Sequence, residues 1–199
     1  MTANGGKLLL DYYDDYAYHL NDFVQYMDGQ GVAIDVVSVQ NEPDWHPDYD
    51  SCDWTGNELR NFVRDHGGKI QNTKLLVGES LRFNRDYTDP TLLDAAAAAN
   101  IDYVGGHLYS AESTGYFTRY PLAEEKGKGR WMTEWLSHEA DGDGAVNDVV
   151  LAIPQPIEAA QFHYTSRFRN REPMDVNYDG QKAAVDVGAR SISTIVLEY

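Results

Sequence analysis

Between residues 11 and 135 an apolar stripe at helical spacing is followed by a short β-branched apolar run, and the pair recurs about four times. Helix and strand in strict succession, with roughly 30 residues to a unit, is the pattern of parallel strands joined by crossover helices. A parallel neighbour cannot be reached through a tight turn, so the intervening helix is obligatory. Within residues 11–28 the 3.6-residue period places Tyr13, Tyr16, Ala17, Leu20, Phe23, Val24 and Met27 on one stripe, with Asp residues opposite and Gly29 and Gly31 as the stop. Residues 34–39 read as a buried strand that ends in Gln40-Asn41-Glu42. Thr55, with Glu58 three residues on, is a capping box that opens a helix over 56–65. Residues 74–78 form the next strand, and Asp89-Pro90 opens a helix that runs through the alanines of 95–99. A strand over 103–108, a short helix near 121–127 and a strand over 130–134 complete the series.

After Trp135 the alternation stops. Residues 136–148 are polar, 149–153 are apolar until Pro154 and Pro156, and 162–170 are amphipathic without a defined period. The stretch 183–197 is β-rich and predicts one or two strands. The chain therefore divides into an α/β part, 1–148, and a C-terminal region, 149–199, with β-strands.

The 199 residues carry 16 Lys and Arg against 32 Asp and Glu, a formal net charge of −16, which repels phosphate backbones and anionic lipid. Nucleic acid and membrane surfaces are thereby excluded as partners. One cysteine, Cys52, excludes an intramolecular disulfide and a thiolate zinc site. No metal site and no organic cofactor are expected, since no glycine-rich phosphate loop follows any strand. The start lacks the charged and apolar regions of a secretory leader, and no run is apolar enough to span a bilayer. The sequence assigns no oligomeric state.

Parallel α/β folds present their chemistry at the C-terminal ends of strands, and two of the four strands here end in glutamate: Val39-Gln40-Asn41-Glu42-Pro43 and Trp131-Met132-Thr133-Glu134-Trp135. Asn-Glu-Pro alone is a weak motif. Two carboxyl groups at matching strand ends form a pair suited to cleaving a glycosidic bond, one protonating the leaving oxygen and the other attacking or activating water. Pro43 and Trp45 give Glu42 apolar neighbours, which suits a group that must hold a proton. Glu134 needs donors around it to remain ionised, and His107 and Tyr109 on the preceding strand are candidates. Glu79, after the intervening strand, is a third carboxylate near the same end; it tunes the pair, holds a sugar hydroxyl or is structural. Trp45, Trp135 and Trp54 are rings that stack on sugars or simply pack.

The segments Val39 to Trp45, His107-Leu108-Tyr109 and Trp131 to Glu134, with Asn4-Gly5-Gly6-Lys7 and the helix 18–27, resemble glycoside hydrolase family 30, on its glucuronoxylanase and endoxylanase branch. The resemblance covers residues 4–145. It implies a (β/α)8 TIM barrel with a β-sandwich at its side, retaining hydrolysis of a β-linked polysaccharide such as xylan, and secretion of the parent enzyme. It also implies Glu42 as acid/base, Glu134 as nucleophile, Asn41 on the sugar 2-hydroxyl, and His107 and Tyr109 around the scissile bond. Only four barrel strands are recognisable, so the resemblance is to an incomplete barrel in residues 1–148, with a remnant of the side sandwich at 189–196.

Three rivals follow: a non-catalytic remnant of such an enzyme, a carbohydrate-binding module, and a glucosylceramidase-type activity. A separate candidate is a calcium loop, Asp175-x-Asn177-x-Asp179-Gly180 with Asp186, although Lys182 falls where such loops are apolar and a β-hairpin turn explains it more simply.

Overall fold

The computed structural model describes residues 2–3, 6–109, 119–134, 149–152, 159–165, 172–174, 177–179, 182–185 and 192–198. It divides into two compact units, Met1–Trp135 and Leu136–Tyr199.

In the first unit the elements follow the order β1 (Thr2–Ala3), α1 (Tyr13–Gly29), β2 (Val36–Ser38), β3 (Asp50–Ser51), α2 (Gly56–His66), β4 (Lys74–Ser80), α3 (Asp89–Leu93), α4 (Ala95–Ala99), β5 (Tyr103–His107), α5 (Pro121–Glu125) and β6 (Gly129–Glu134). Strands β2, β4, β5 and β6 form one parallel sheet in that order, and β1 pairs with β3 antiparallel. This is an α/β unit whose described sheet has two edges, β2 and β6, and is therefore open.

The local chemistry explains most element boundaries. The capping box at Thr55 is present in full: its side chain accepts from the Glu58 N–H, and the Glu58 carboxylate accepts from the Thr55 N–H. Helix α1 buries Tyr13, Ala17, Asn21 and Val24, not the whole expected stripe. Phe23 is turned to solvent, while Asn21 faces inward and its Oδ1 accepts the N–H of Gln71 at 3.0 Å. The helix expected from Asp89 through Ala99 is two helices. Asp94 breaks it by adopting an extended conformation, and its side chain caps α4 by accepting from the N–H groups of Ala96 and Ala97. An aspartate that bonds to the backbone ahead of it competes with the helix ladder behind it. Strand β2 is half-buried instead of buried, because it lies at the edge of the sheet.

The core between sheet and helices contains Leu59, Phe62, Val63, Leu75, Val77, Leu92, Ala97 and Val104. Trp54, only 3% exposed, packs among Tyr13, Tyr16 and Phe62 with ring centroids 5.1 to 6.2 Å away, so it is a core residue and not a sugar platform.

The second unit consists of β7 (Val149–Ala152), β8 (Ala159–Thr165), β9 (Glu172–Met174), β10 (Asn177–Asp179), β11 (Lys182–Val185) and β12 (Ile192–Glu198). They form two antiparallel three-stranded sheets, in the orders β10-β11-β7 and β12-β8-β9. The untyped stretch at 162–170 thus begins in a strand, and the region holds more strands than its sequence suggested. Asp179 pairs with Lys182 in the β10–β11 ladder. Asn177 and Asp179 are therefore strand residues of a hairpin with two residues between its strands, which is at odds with a calcium-loop reading. Asp175, Gly180 and Asp186 lie outside the described residues.

Candidate active site

Three strand ends bring side chains to one point. Glu42 follows β2, His107 closes β5 and Glu134 closes β6. Glu42 Oε1 lies 3.1 Å from His107 Nδ1, and Glu134 Oε1 lies 3.9 Å from the same nitrogen. Ligand atoms of all three lie within 4.8 Å of one another, so carboxylates from the two edge strands of the sheet converge on the histidine between them. Donors so spaced also suit a divalent cation, a possibility the sequence gave no reason to consider.

The convergence depends on irregular backbone. A regular strand sends alternate side chains to opposite faces, so re-aiming one requires a break in the ladder. The β4–β5 register shifts between Gly78 and Ser80, and the β5–β6 register shifts between Gly106 and His107. Glu42 and Glu79 have φ of +44° and +49°, the left-handed region that non-glycine residues rarely occupy. Such strain persists where surrounding structure over-determines it, and it clusters at functional sites. Gly78 has φ +118°, and a Cβ there would stand 2.5 Å from the Gly105 carbonyl oxygen, so β4 and β5 approach as only glycine allows.

The two carboxylates have unlike surroundings. The Glu42 side chain is 10% exposed and faces the fully buried His107, whereas that of Glu134 is 49% exposed. The Tyr109 hydroxyl donates a short hydrogen bond to Glu134 Oε1. Burial first, and then that bond to Glu134, push the Tyr109 hydroxyl above the ordinary phenol range, so it remains a donor at neutral pH. Of the two donors expected beside Glu134, Tyr109 contacts it directly, while His107 stands nearer to Glu42.

Glu79 Oε1 lies 4.0 Å from His107 Nε2, on the opposite side of the ring from Glu42. Asn41 is exposed. Trp45, 46% exposed, joins Asn41, Glu42, Gln40 and Tyr49 around a shallow hollow of about 60 Å³. Trp135 lies outside the described residues. The sequence reading missed Tyr49 and Asp44. Asp44 Oδ1 accepts the N–H of Leu81 at 2.9 Å, tying the loop after β2 to the turn after β4. Its position just past Glu42-Pro43, as a residue type that bonds to backbone in turns, was the available signal.

No family model matches the chain. It is 38% identical over 141 residues to the glucuronoxylanase XynC of Bacillus subtilis (strain 168), which covers 70% of this chain and 32% of that protein. The chain thus spans about a third of the length of the curated relative it matches. Among solved structures, the family 30 subfamily 8 xylanase Xyn30A of Clostridium acetobutylicum superposes with a TM-score of 0.62 at 21% identity, over 98% of this chain and 74% of that one. A family 30 endoxylanase of Clostridium papyrosolvens C71 gives 0.54 at 21% identity, over 95% and 72%. The endo-β-1,6-glucanase BT3312 gives 0.59 at 24% identity, over 72% and 33%. The structural likenesses agree on the fold. The chain is thus similar in sequence to a glucuronoxylanase over 141 residues and similar in fold to solved family 30 xylanases.

Proposed function

We propose that this relative of the family 30 xylanases is a retaining glycoside hydrolase acting on xylan or glucuronoxylan, with Glu134 as nucleophile and Glu42 as acid/base. The observation that carries the reading is the convergence of the two carboxylates, whose nearest ligand atoms, with that of His107, fall within 4.8 Å. Retaining enzymes need their carboxyl groups about 5–5.5 Å apart, while inverting ones leave about 6.5–9.5 Å for a water. The exposure difference supports the division of roles. The more buried Glu42 suits the acid, and the half-exposed Glu134 beside a tyrosine donor suits the nucleophile.

In the first step a Glu134 oxygen attacks the anomeric carbon while Glu42 passes its proton to the departing oxygen. In the second, Glu42 takes a proton from water, the water oxygen bonds to the anomeric carbon, and Glu134 leaves as a carboxylate. Tyr109 holds the attacking oxygen through its hydrogen bond. Asn41 and the open face of Trp45 are the nearest groups for the sugar's hydroxyls and apolar face, and Trp135 is assigned to the same cleft by sequence alone. The two antiparallel sheets of the second unit are read as the side β-sandwich that accompanies such barrels. A polymeric substrate puts the protein outside the cell.

A second reading is favoured by one feature: the described sheet is open at β2 and β6, so among the described residues no closed barrel surrounds the carboxylate pair. That reading is a folded, non-catalytic remnant. Release of reducing sugar from glucuronoxylan by the purified chain, beside a Glu134→Gln control, separates the two. Release by the unmodified chain alone supports the hydrolase. No release from either, with cooperative unfolding retained, overturns it in favour of the remnant.

A further inference from the structure

The ring of His107 is completely buried and stands between carboxylates on both sides. Its Nδ1 meets Glu42, but its Nε2 has no hydrogen-bond partner among the described residues. A buried polar nitrogen without a partner is unfavourable, and such groups in folded proteins call for an explanation. The charged group facing Nε2 is the Glu79 carboxylate, at 4.0 Å. That is longer than a hydrogen bond, and a rotation of the carboxyl group about its last torsion, which is broad for glutamate, can close it.

The backbone around Glu79 is arranged for this approach. The bulge at Gly78 and the left-handed φ of Glu79 re-aim a side chain that would otherwise follow the strand's alternation. The close contact of Gly78 with the Gly105 carbonyl brings β4 against β5, the strand that carries His107. Strain of this kind is unexplained if Glu79 is only a solvated loop residue.

We propose that Glu79 is a positioning residue which accepts the Nε2–H of His107, and so holds the ring with Nδ1 turned to Glu42. This deepens the hydrolase reading and rests on it. With Nε2–H engaged, the ring cannot turn over, and Nδ1 stays aimed at Glu42. One oxygen of Glu42 is thereby held at the imidazole, and the other is left for the leaving group. Glu79 acts only through the ring, as a carboxylate that fixes a histidine's orientation and tautomer.

The test uses Glu79→Met, close in shape but without an acceptor, and Glu79→Gln, which keeps an acceptor oxygen at the same reach. Nitrogen NMR of the His107 ring in the unmodified chain is expected to find a hydrogen on Nε2. In Glu79→Met that preference is lost, and kcat on glucuronoxylan falls about tenfold or more with KM little changed, the scale of disturbing one general acid–base group. Glu79→Gln keeps the Nε2 hydrogen and most of kcat. A bare Nε2 in the unmodified chain overturns the proposal, as does an unchanged ring in Glu79→Met. A rise in KM without a fall in kcat also overturns it, and assigns Glu79 to a sugar hydroxyl. The ring spectrum is read whether or not the chain turns over substrate, so failure of the hydrolase reading leaves this outcome separately visible. If Glu79→Met does not fold, the unmodified chain and Glu79→Gln decide.

Discussion

The backbone N–H of Glu42 donates to the carbonyl oxygen of Glu79 at 3.0 Å, and both residues hold φ in the left-handed region. The segment after β2 and the end of β4 are thus bonded to each other through two residues with left-handed backbones, and both side chains face one histidine. Disturbing either backbone should therefore be felt at the carboxylate pair.

Gly78 tests that link. Alanine there must adopt φ near +118° and place its Cβ 2.5 Å from the Gly105 carbonyl oxygen. Gly78→Ala is expected to destabilise the first unit by about 2–4 kcal/mol, the sum of a strained φ and an overpacked contact. Chemical denaturation should show a lower midpoint with an unchanged slope.

Glu134→Gln removes the nucleophile and leaves a half-exposed polar side chain in its place. Hydrolysis is expected to fall by about a thousandfold or more. The free energy of unfolding should stay within about 0.5 kcal/mol of the unmodified chain, as for most surface changes. Glu42→Ala should lose activity on xylan, whereas an aryl glycoside, whose leaving group needs no acid, should give a burst of phenol followed by slow turnover, because the base of the second step is gone.

Tyr109→Phe deletes the donor to Glu134. A hydrogen bond to a charged group contributes about 1.5–3 kcal/mol, so kcat should fall roughly tenfold to a hundredfold. Because burial and Glu134 raise the hydroxyl above its usual range, the phenol does not ionise near neutrality, and the variant's pH profile should keep its shape there.

Tyr16 gives the chain an alkaline limit. Burial, with a smaller contribution from nearby Cys52, pushes its hydroxyl from 10.0 up to about 12, and it donates to the Val39 carbonyl at 2.6 Å. The folded state binds that proton more tightly than the unfolded chain, so the stability is complete below pH 10 and is lost as pH rises towards 12. The loss should be about 2–3 kcal/mol for a shift of this size. Tyr16→Phe should flatten stability against pH across that window, measured by denaturation at a series of alkaline pH values.

Thr55→Ala removes the capping box at the start of α2. A loss of about 1 kcal/mol is expected, with no change at the strand ends, since α2 contributes no residue to the carboxylate cluster.

Much of this protein was legible along the chain because the deciding interactions are short-range. The capping box at Thr55, the 3.6-residue stripe that buries Tyr13, Ala17 and Val24, a strand shortly before Glu42 and one closing at Glu134 follow from residues within a few positions of each other. So does the nomination of the two glutamates, since a strand end is a local event. Where local reading erred, a local competitor or a distant partner prevailed: Asp94 capped the alanine helix and so parted it from the helix before it, and Asn21 took the inward place expected of Phe23, bonding to Gln71, fifty residues away. The strands of the second unit were harder to see, because antiparallel pairing such as Ile192 with Thr165 rewards contacts the sequence does not place side by side. Only the tertiary structure could decide that carboxylates from the two edge strands meet at His107, that Tyr109 and not His107 contacts Glu134, and that Trp54 belongs to the core. The meeting at His107 depends on the register shifts next to Gly78 and Gly106. A single displaced register there re-aims a side chain by several ångströms, and it arises from hydrogen bonds between strands, not from the composition of any one of them.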